Sequence, residues 1–268
     1  MKFKDLIRAS KNVTRSMGPE FWTDPYLIEI DITYQCNLLC YNCDRSCTQA
    51  PDNLEMTVSQ IGKFIDETIS HEKVWRRIRI LGGEPFLHPD HQEILKLLSE
   101  YKKEHALETM VEVVSNGYGP YVRDAMTRLP DGIIVKNTKK TGRFQKKFEA
   151  FNIAPRDQLW SDWVDFSNAC WATWECGIGL NPFGYYPCAA GASIDRVFGF
   201  GIGKRRLPKD NTQFISEKRL LCSYCGHFQR RRFVPIEKRT PVIGEPQSMS
   251  WKKAYSKYQK NKPVLNKY

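Results

Sequence analysis

The chain has 268 residues, of which 41% are hydrophobic and 12% aromatic, and its formal net charge is +11. This composition is typical of a folded protein with a substantial core. It excludes a membrane-spanning helix, because no apolar run approaches the roughly 20 residues that a bilayer requires. Nine cysteines without a recognisable secretory segment predict a cytoplasmic location, where thiols serve metals and redox chemistry instead of disulfides.

Residues 1–25 read as a basic amphipathic lead-in that ends at Gly-Pro and Asp-Pro turns. An alternating apolar stretch then predicts a strand at 27–32, and Cys36, Cys40 and Cys43 follow it on one loop. Three thiolates on one loop can bind three irons of a [4Fe-4S] cluster and leave the fourth iron open. The alternative is a closed zinc site, but this spacing lacks a nearby fourth ligand.

After the cysteine loop, helical and strand patterns alternate along the chain. The predicted helices lie at 57–71, 91–103 and 121–129, and the predicted strands lie at 78–81, 110–114 and 132–135. Parallel strands need helical crossovers, so this alternation predicts an α/β fold with a parallel sheet.

Two loops of this region carry candidate binding residues. One loop holds Gly82, Gly83, Glu84 and Pro85, and the next holds Ser115, Asn116 and Gly117. Each loop follows the carboxyl end of a predicted strand, as the cysteine loop does. Because parallel sheets gather their functional loops at that edge, we expect the three loops to converge.

The CxxxCxxC and GGEP motifs together resemble those of radical S-adenosylmethionine (SAM) enzymes. The resemblance implies a partial, open (β/α) barrel over residues 26–165, with a SAM-binding [4Fe-4S] cluster at the cysteine loop. It implies that the GGEP loop binds the methionine end of SAM, and that Ser115 and Asn116 approach its ribose or carboxylate. Asn42 stands where many relatives place an aromatic residue against adenine, so Tyr41 is the candidate here, with Tyr34 as an alternative.

Beyond residue 165 the pattern changes to a second set of cysteines, namely Cys170, Cys176, Cys188, Cys222 and Cys225. A β-hairpin predicted at 177–187 returns Cys188 beside Cys170 or Cys176. With the close pair Cys222 and Cys225, four thiolates are available, which is the number that completes a closed cluster. Four cysteines that include a CxxC pair also suit zinc.

This second set resembles the twitch domain, the short form of the SPASM domain, which carries an auxiliary [4Fe-4S] cluster. The spacing is similar to that of the amino-cyclitol dehydrogenase of butirosin biosynthesis. The resemblance favours Cys170, Cys188, Cys222 and Cys225 as ligands, with Cys176 as an alternative ligand. It implies a small hairpin-containing auxiliary domain at 166–228, followed by a basic tail at 229–268.

The tail carries most of the net charge, with eleven Lys or Arg against two Glu from Gly226 onward. Trp251, Tyr255 and Tyr258 recur at helical spacing and predict a short helix that docks its aromatic face on the core. Its lysines then face outward as a solvated surface, and nucleic acid is not expected as a partner.

The resemblance implies a radical SAM oxidoreductase that abstracts hydrogen from a small polar substrate, such as a sugar or cyclitol. The auxiliary cluster implies a two-electron oxidation of an alcohol to a carbonyl, and flavodoxin or ferredoxin is the expected reducing donor. The candidate bases for the hydroxyl proton are Arg156, Asp157 and Glu175. The alternatives are a peptide-modifying maturase, a tRNA-modifying enzyme, and a non-catalytic iron-sulfur or zinc protein.

Overall fold

The central feature of the fold is one six-stranded sheet. A computed structural model describes residues 3–234, 236–239 and 242–268. The strands are β1 Leu27–Thr33, β2 Arg77–Gly82, β3 Met110–Ser115, β4 Ile133–Asn137, β5 Ile178–Asn181 and β6 Gly184–Tyr186. Their order is β4-β3-β2-β1-β5-β6, and every neighbouring pair is parallel except the antiparallel hairpin β5–β6. The sheet stays open between β4 and β6, which confirms the predicted α/β partial barrel.

Ten helices are present in the described part of the chain. They are α1 Phe3–Ala9, α2 Lys11–Met17, α3 Val58–Ser70, α4 His91–His105, α5 Pro120–Ala125, α6 Trp171–Cys176, α7 Ala189–Phe198, α8 Ile215–Tyr224, α9 Gly226–Phe233 and α10 Met249–Lys260. The helix predicted at 121–129 ends four residues early. The amide and hydroxyl of Thr127 both donate to the carbonyl of Asp124 and close a turn there.

The two faces of the sheet differ sharply in polarity. On one face, Ile28, Ile30 and Ile32 of β1 are fully buried in the main core with residues of α3 and α4. The alternation of side chains along a strand turns Glu29 and Asp31 to the opposite face. A parallel sheet covered on both sides is ordinarily apolar throughout, so the acidic inner face indicates a functional interior.

The predicted hairpin is present, and it extends the main sheet. Strand β5 pairs with β1 in parallel register, with Ile28 opposite Ile178 and Ile30 opposite Leu180. Helix α7 follows the hairpin and packs on β5 and β6. The backbone of β1 is therefore bonded on one side to the barrel and on the other to the strand that leads into the second cysteine region.

The predicted C-terminal helix is confirmed as α10. Its aromatic residues Trp251, Tyr255 and Tyr258 are buried in a second core cluster, while Lys253 and Lys257 are exposed. Trp251 donates from its indole to the carbonyl of Tyr224 at 2.8 Å, which fastens the tail beside α8. Within the described ranges, no helix combines the length and the apolar character needed to cross a bilayer.

Candidate functional site

The cysteine loop begins three residues after β1 and presents Cys36, Cys40 and Cys43. Cys40 is buried, and the other two are half-buried. Two amides point at their sulfurs: Asn116 Nδ2 lies 3.9 Å from Cys36 Sγ, and Gln145 Nε2 lies 3.8 Å from Cys40 Sγ. Donors directed at sulfur stabilise thiolates, and hydrogen bonds to ligand sulfurs also tune a cluster. This loop therefore fits an iron-sulfur cluster with one open iron.

A fourth cysteine, Cys47, completes a CxxxCxxCxxxC pattern. A hydrogen bond from Cys47 lowers the pKa of Cys43 to about 7, whereas burial raises the pKa of Cys36 to about 12. The three thiols are thus unequal, and Cys43 is the one that most readily supplies a thiolate.

No set of three Cys, His, Asp or Glu side chains converges on one metal-ion position within the described ranges. In a [4Fe-4S] cluster each cysteine binds a different iron, so the ligands surround a volume and need not converge on a point.

The GGEP loop lies against the cysteine loop because the ends of β1 and β2 remain paired. The Gly83 amide donates to Thr33 O and the Glu84 amide donates to Gln35 O, both at 2.8 Å. A Cβ on Gly83 would lie 2.0 Å from Gln35 O and 3.0 Å from Cys36 Cβ. Only glycine permits this close approach of the two loops.

We expect Gly83→Ala to cost at least about 2 kcal/mol of unfolding free energy, because the new Cβ displaces backbone at the cysteine loop. Urea unfolding measures this loss. Gly62→Ala in α3 is the matched control, since a Cβ there meets no atom of the described residues within 4 Å, and alanine in a helix should be neutral or stabilising. Equal stabilities for the two variants would contradict the assigned contact.

Glu84 joins the GGEP loop to the loop after β3. Its carboxylate is buried and accepts from Ser115 Oγ at 2.9 Å and from the Asn116 amide at 2.7 Å. Burial raises the pKa of Glu84, while these hydrogen bonds lower it. Ser115 and Asn116 are thereby held beside Cys36, so the three loops converge at one edge as predicted.

Tyr41 lies on the cysteine loop under a covering segment. Its amide donates to Arg143 O at 2.9 Å, and the Arg143 guanidinium stacks 4.5 Å above its ring.

Pro85 is buried at the start of a short 3-10 helix, which places it behind the binding edge as support for the loop.

The second cysteine set surrounds a cavity. Its lining includes Cys170, Cys188, Cys222 and Cys225, and the cavity is small, with a volume of about 20 Å³. The cysteines come from three segments: Cys170 and Cys188 precede α6 and α7, and the other two lie at the end of α8. Burial raises the pKa of each of these thiols. A thiol-lined, largely apolar chamber fits a cluster that neutralises the thiolates with iron.

Cys176 occupies a different position, at the end of α6. Burial and the nearby Glu29 carboxylate raise its pKa, and Arg45 lowers it. The described lining of the cavity thus favours Cys170, Cys188, Cys222 and Cys225 over this alternative.

The three candidate bases do not come together. Arg156 is exposed, with its guanidinium on the Tyr224 ring and hydroxyl. Asp157 accepts from the Ser250 amide at 2.9 Å at the start of α10, and Glu175 is exposed on α6. Hydrogen bonds at the surface thus account for the positions of Arg156 and Asp157.

Sequence reasoning missed an ion-pair network on the inner face of the sheet. Arg45, from the cysteine loop, contacts Glu29 at 2.8 Å and Asp31 at 3.2 Å. Arg79 of β2 contacts Glu29 and Glu112, both at 2.8 Å. The sequence did contain one sign of this network, because Glu29 and Asp31 are acidic residues at alternate positions of an otherwise apolar strand.

Asp31 is the unusual member of this network. It is fully buried, and within the described residues its Oδ2 has no hydrogen-bond partner. Burial raises its pKa to about 6, although Arg45 lowers it. A buried carboxylate oxygen without a hydrogen-bond partner costs free energy of folding. A bound ligand or an ordered water that donates a hydrogen bond to Oδ2 would remove this cost.

Comparison with known proteins gives a family for the barrel. Residues 30–135 match the model of the Radical SAM superfamily. A probable GTP 3',8-cyclase of Methanococcus aeolicus is 29% identical over 103 residues, covering 37% of this chain and 33% of that protein. The AdoMet-dependent heme synthase of Methanosarcina barkeri is 38% identical over 73 residues, covering 27% and 20%. The chain thus spans a third or less of the length of these curated relatives.

Two solved structures are also similar. BtrN in complex with AdoMet and 2-DOIA is 12% identical, with a TM-score of 0.41, over 80% of this chain and 88% of that one. Streptococcus suis SuiB bound to S-adenosylmethionine is 16% identical, with a TM-score of 0.33, over 47% and 27%. The superfamily match contains both the CxxxCxxC and GGEP motifs, and it supports a [4Fe-4S] cluster and S-adenosylmethionine as cofactors. The chain carries a radical SAM domain.

Proposed function

We propose that this protein is a radical SAM oxidoreductase that oxidises an alcohol of a small polar substrate to a carbonyl. In this proposal Cys36, Cys40 and Cys43 hold the SAM-binding cluster. An auxiliary [4Fe-4S] cluster is held by Cys170, Cys188, Cys222 and Cys225. The observation that carries the proposal is the cavity among the latter four cysteines, since an auxiliary cluster gives a substrate radical an electron acceptor.

The cofactors, when bound, supply homolysis of SAM to a 5'-deoxyadenosyl radical and one-electron redox capacity. The chain supplies placement. Gly83 lets the GGEP loop pack directly against the backbone of the cysteine loop, and Glu84 binds Ser115 and the amide of Asn116, whose Nδ2 lies 3.9 Å from Cys36 Sγ. Such positioning is worth several orders of magnitude in rate when the reacting atoms are held in line.

The charged side chains on the inner face of the sheet favour a polar substrate over an apolar one. These side chains are buried or half-buried and joined by short ion pairs, and among the described residues none donates a hydrogen bond to Asp31 Oδ2. We infer that Asp31 accepts the hydroxyl proton, in preference to Arg156, Asp157 and Glu175, whose described positions lie at the surface. A general base needs both reach and a pKa near the working pH, and burial raises the pKa of Asp31 toward it.

Anaerobic reconstitution followed by product analysis tests the proposal. We expect about eight irons per chain, from two four-iron clusters, and about four in the double variant Cys222→Ala/Cys225→Ala. With reductant and SAM, a carbinol-deuterated sugar or cyclitol that is a substrate should transfer deuterium into 5'-deoxyadenosine. Zinc without iron would overturn the proposal.

The same assay separates the alternatives. GTP is included as a candidate substrate because the curated relatives include GTP 3',8-cyclases. Transfer of deuterium from labelled GTP into 5'-deoxyadenosine, together with a cyclic product, would indicate a cyclase instead of an oxidoreductase. Transfer from a peptide alone would favour a maturase. A flavodoxin or ferredoxin as electron donor and a cytoplasmic location remain predictions.

A further inference from the structure

Two buried cations lie beside the second cysteine set, and the proposed function so far uses neither of them. Lys218 of α8 is fully buried and lies one helical turn before Cys222, so the two side chains share one side of α8. Arg232 of α9 is also buried and lies one turn after Phe228, which lines the cavity together with Cys222. Each cation therefore lies on the cavity side of its helix.

The charge of Lys218 has little compensation from the protein. Its ammonium donates to the carbonyl of Phe21 at 3.5 Å and lies 4.8 Å from the centre of the Trp22 ring. No carboxylate within the described ranges forms an ion pair with it. Burial lowers the pKa of Lys218, whereas the thiols of Cys222 and Cys188 raise it. A buried cation without a counterion is costly, and the thiolates of the second cysteine set are the anions that can compensate this one.

Arg232 is also only partly compensated. Its Nη2 pairs with Glu20, whereas its Nε and Nη1 have no hydrogen-bond partner among the described residues. Its guanidinium lies 5.4 Å from the Phe21 ring and 5.5 Å from the Phe228 ring. Segment 20–22 thus contacts both cations and covers them. Charges in such an interior are screened far less than charges at the surface.

We propose that Lys218 and Arg232 raise the reduction potential of the auxiliary centre, which makes it a better acceptor for the electron that the substrate radical gives up. The inference rests on the auxiliary cluster of the proposed function. Four thiolates make the loaded centre anionic, and reduction makes it more negative. Buried cations therefore stabilise the reduced form more than the oxidised form.

The electron balance of the proposed oxidation requires such an acceptor. Once the 5'-deoxyadenosyl radical has taken a hydrogen atom from the carbinol carbon, the substrate radical loses its hydroxyl proton to the base and one electron to the auxiliary centre. The second carbon–oxygen bond of the carbonyl forms, and the centre is reduced by one electron. Lys218 and Arg232 favour this transfer without contact to the substrate.

A redox titration followed by electron paramagnetic resonance tests the proposal on the full, anaerobically reconstituted chain. The signal that does not respond to added SAM belongs to the auxiliary centre. Lys218→Met removes the charge and keeps an unbranched side chain of similar length. In this variant we expect the equilibrium constant for one-electron reduction of the auxiliary centre to fall at least about tenfold, which is a downward shift of about 59 mV. Arg232→Met should shift the potential in the same direction, and Lys218→Arg should retain it.

Lys253→Met is the matched control, because Lys253 is an exposed cation of α10 whose charge is screened by water. Its potential should equal that of the unaltered protein. The proposal is overturned if Lys218→Met and Arg232→Met keep their iron and their potential, or if Lys218→Arg shifts the potential as much as Lys218→Met does.

Iron content covers the case in which a variant does not retain the auxiliary cluster. Loss of this cluster in Lys218→Met but not in Lys218→Arg would support the requirement for a charge, whereas loss in both would assign Lys218 to packing and overturn the proposal. About four irons per chain in the unaltered protein, instead of about eight, would count against the proposed function itself.

Discussion

Replacing Cys40 with alanine is expected to lower the reductive release of 5'-deoxyadenosine from SAM by at least about a thousandfold. Cys40 is the buried member of the loop, and its sulfur receives the Gln145 amide at 3.8 Å. Two remaining thiolates cannot hold three irons, so the cluster should be lost or converted to another form. Anaerobic reconstitution, iron analysis and chromatography of the nucleoside measure the effect.

Cys47→Ala is the matched control for this experiment. Cys47 is buried four residues after Cys43 and acts on it through a hydrogen bond, so its loss should leave the iron content intact. The reduction potential of the cluster should shift, because hydrogen bonds to the sulfurs help to set it. Unchanged nucleoside release in Cys40→Ala, or equal iron loss in both variants, would contradict the assignment of the three ligands.

The second large effect is expected from Arg45→Met, which should lower the unfolding free energy by about 3–5 kcal/mol at neutral pH. Arg45 is buried and compensates two buried carboxylates, Glu29 and Asp31. Removing one partner of a buried ion pair leaves charge without compensation, which costs more than the pair contributed. Arg128→Met is the control, because its pair with Asp124 is exposed and such pairs contribute at most about 1 kcal/mol.

The loss in Arg45→Met should grow with pH. In the unaltered protein the pKa of Asp31 is about 6, against an ordinary value of 3.8. The folded state thus binds this proton more tightly, and the stability contributed by Asp31 is present at low pH and lost as pH rises through 6. Arg45 lowers this pKa, whereas Glu29 and Asp44 raise it, so the variant should lose stability up to a higher pH. Urea unfolding at pH 5.5 and pH 8 measures the difference, and an equal loss at both pH values would contradict this account.

The sequence predicted the elements whose pattern is local. The apolar alternation of β1, the spacing of its three following cysteines and the glycines of the GGEP loop each depend on neighbouring residues. The parallel topology then followed from the alternation of strands and helices. The hairpin at β5 and β6 was predicted for the same reason, because its turn signal Asn181-Pro182-Phe183-Gly184 lies between two short strands.

The inner-face network could not be predicted in the same way. Arg45 lies 14 residues from Asp31 along the chain, and nothing local in a cysteine-rich loop indicates that it turns into the barrel. The partner of Asp157 at the start of α10 likewise lies far away along the chain, at a separation of 93 residues. The candidates chosen from sequence position alone therefore included Asp157, which accepts a backbone hydrogen bond at the start of α10. They omitted Asp31, which the fold buries.

The pairing of β5 with β1 also fixes a distance. Backbone hydrogen bonds between adjacent strands hold their separation near 4.8 Å, and these two strands lead to the two thiol-rich regions of the molecule. The paired strands therefore restrict movement of one cysteine region relative to the other. Ile28 lies opposite Ile178 in this ladder, so the strands that adjoin the two cysteine regions keep one fixed separation.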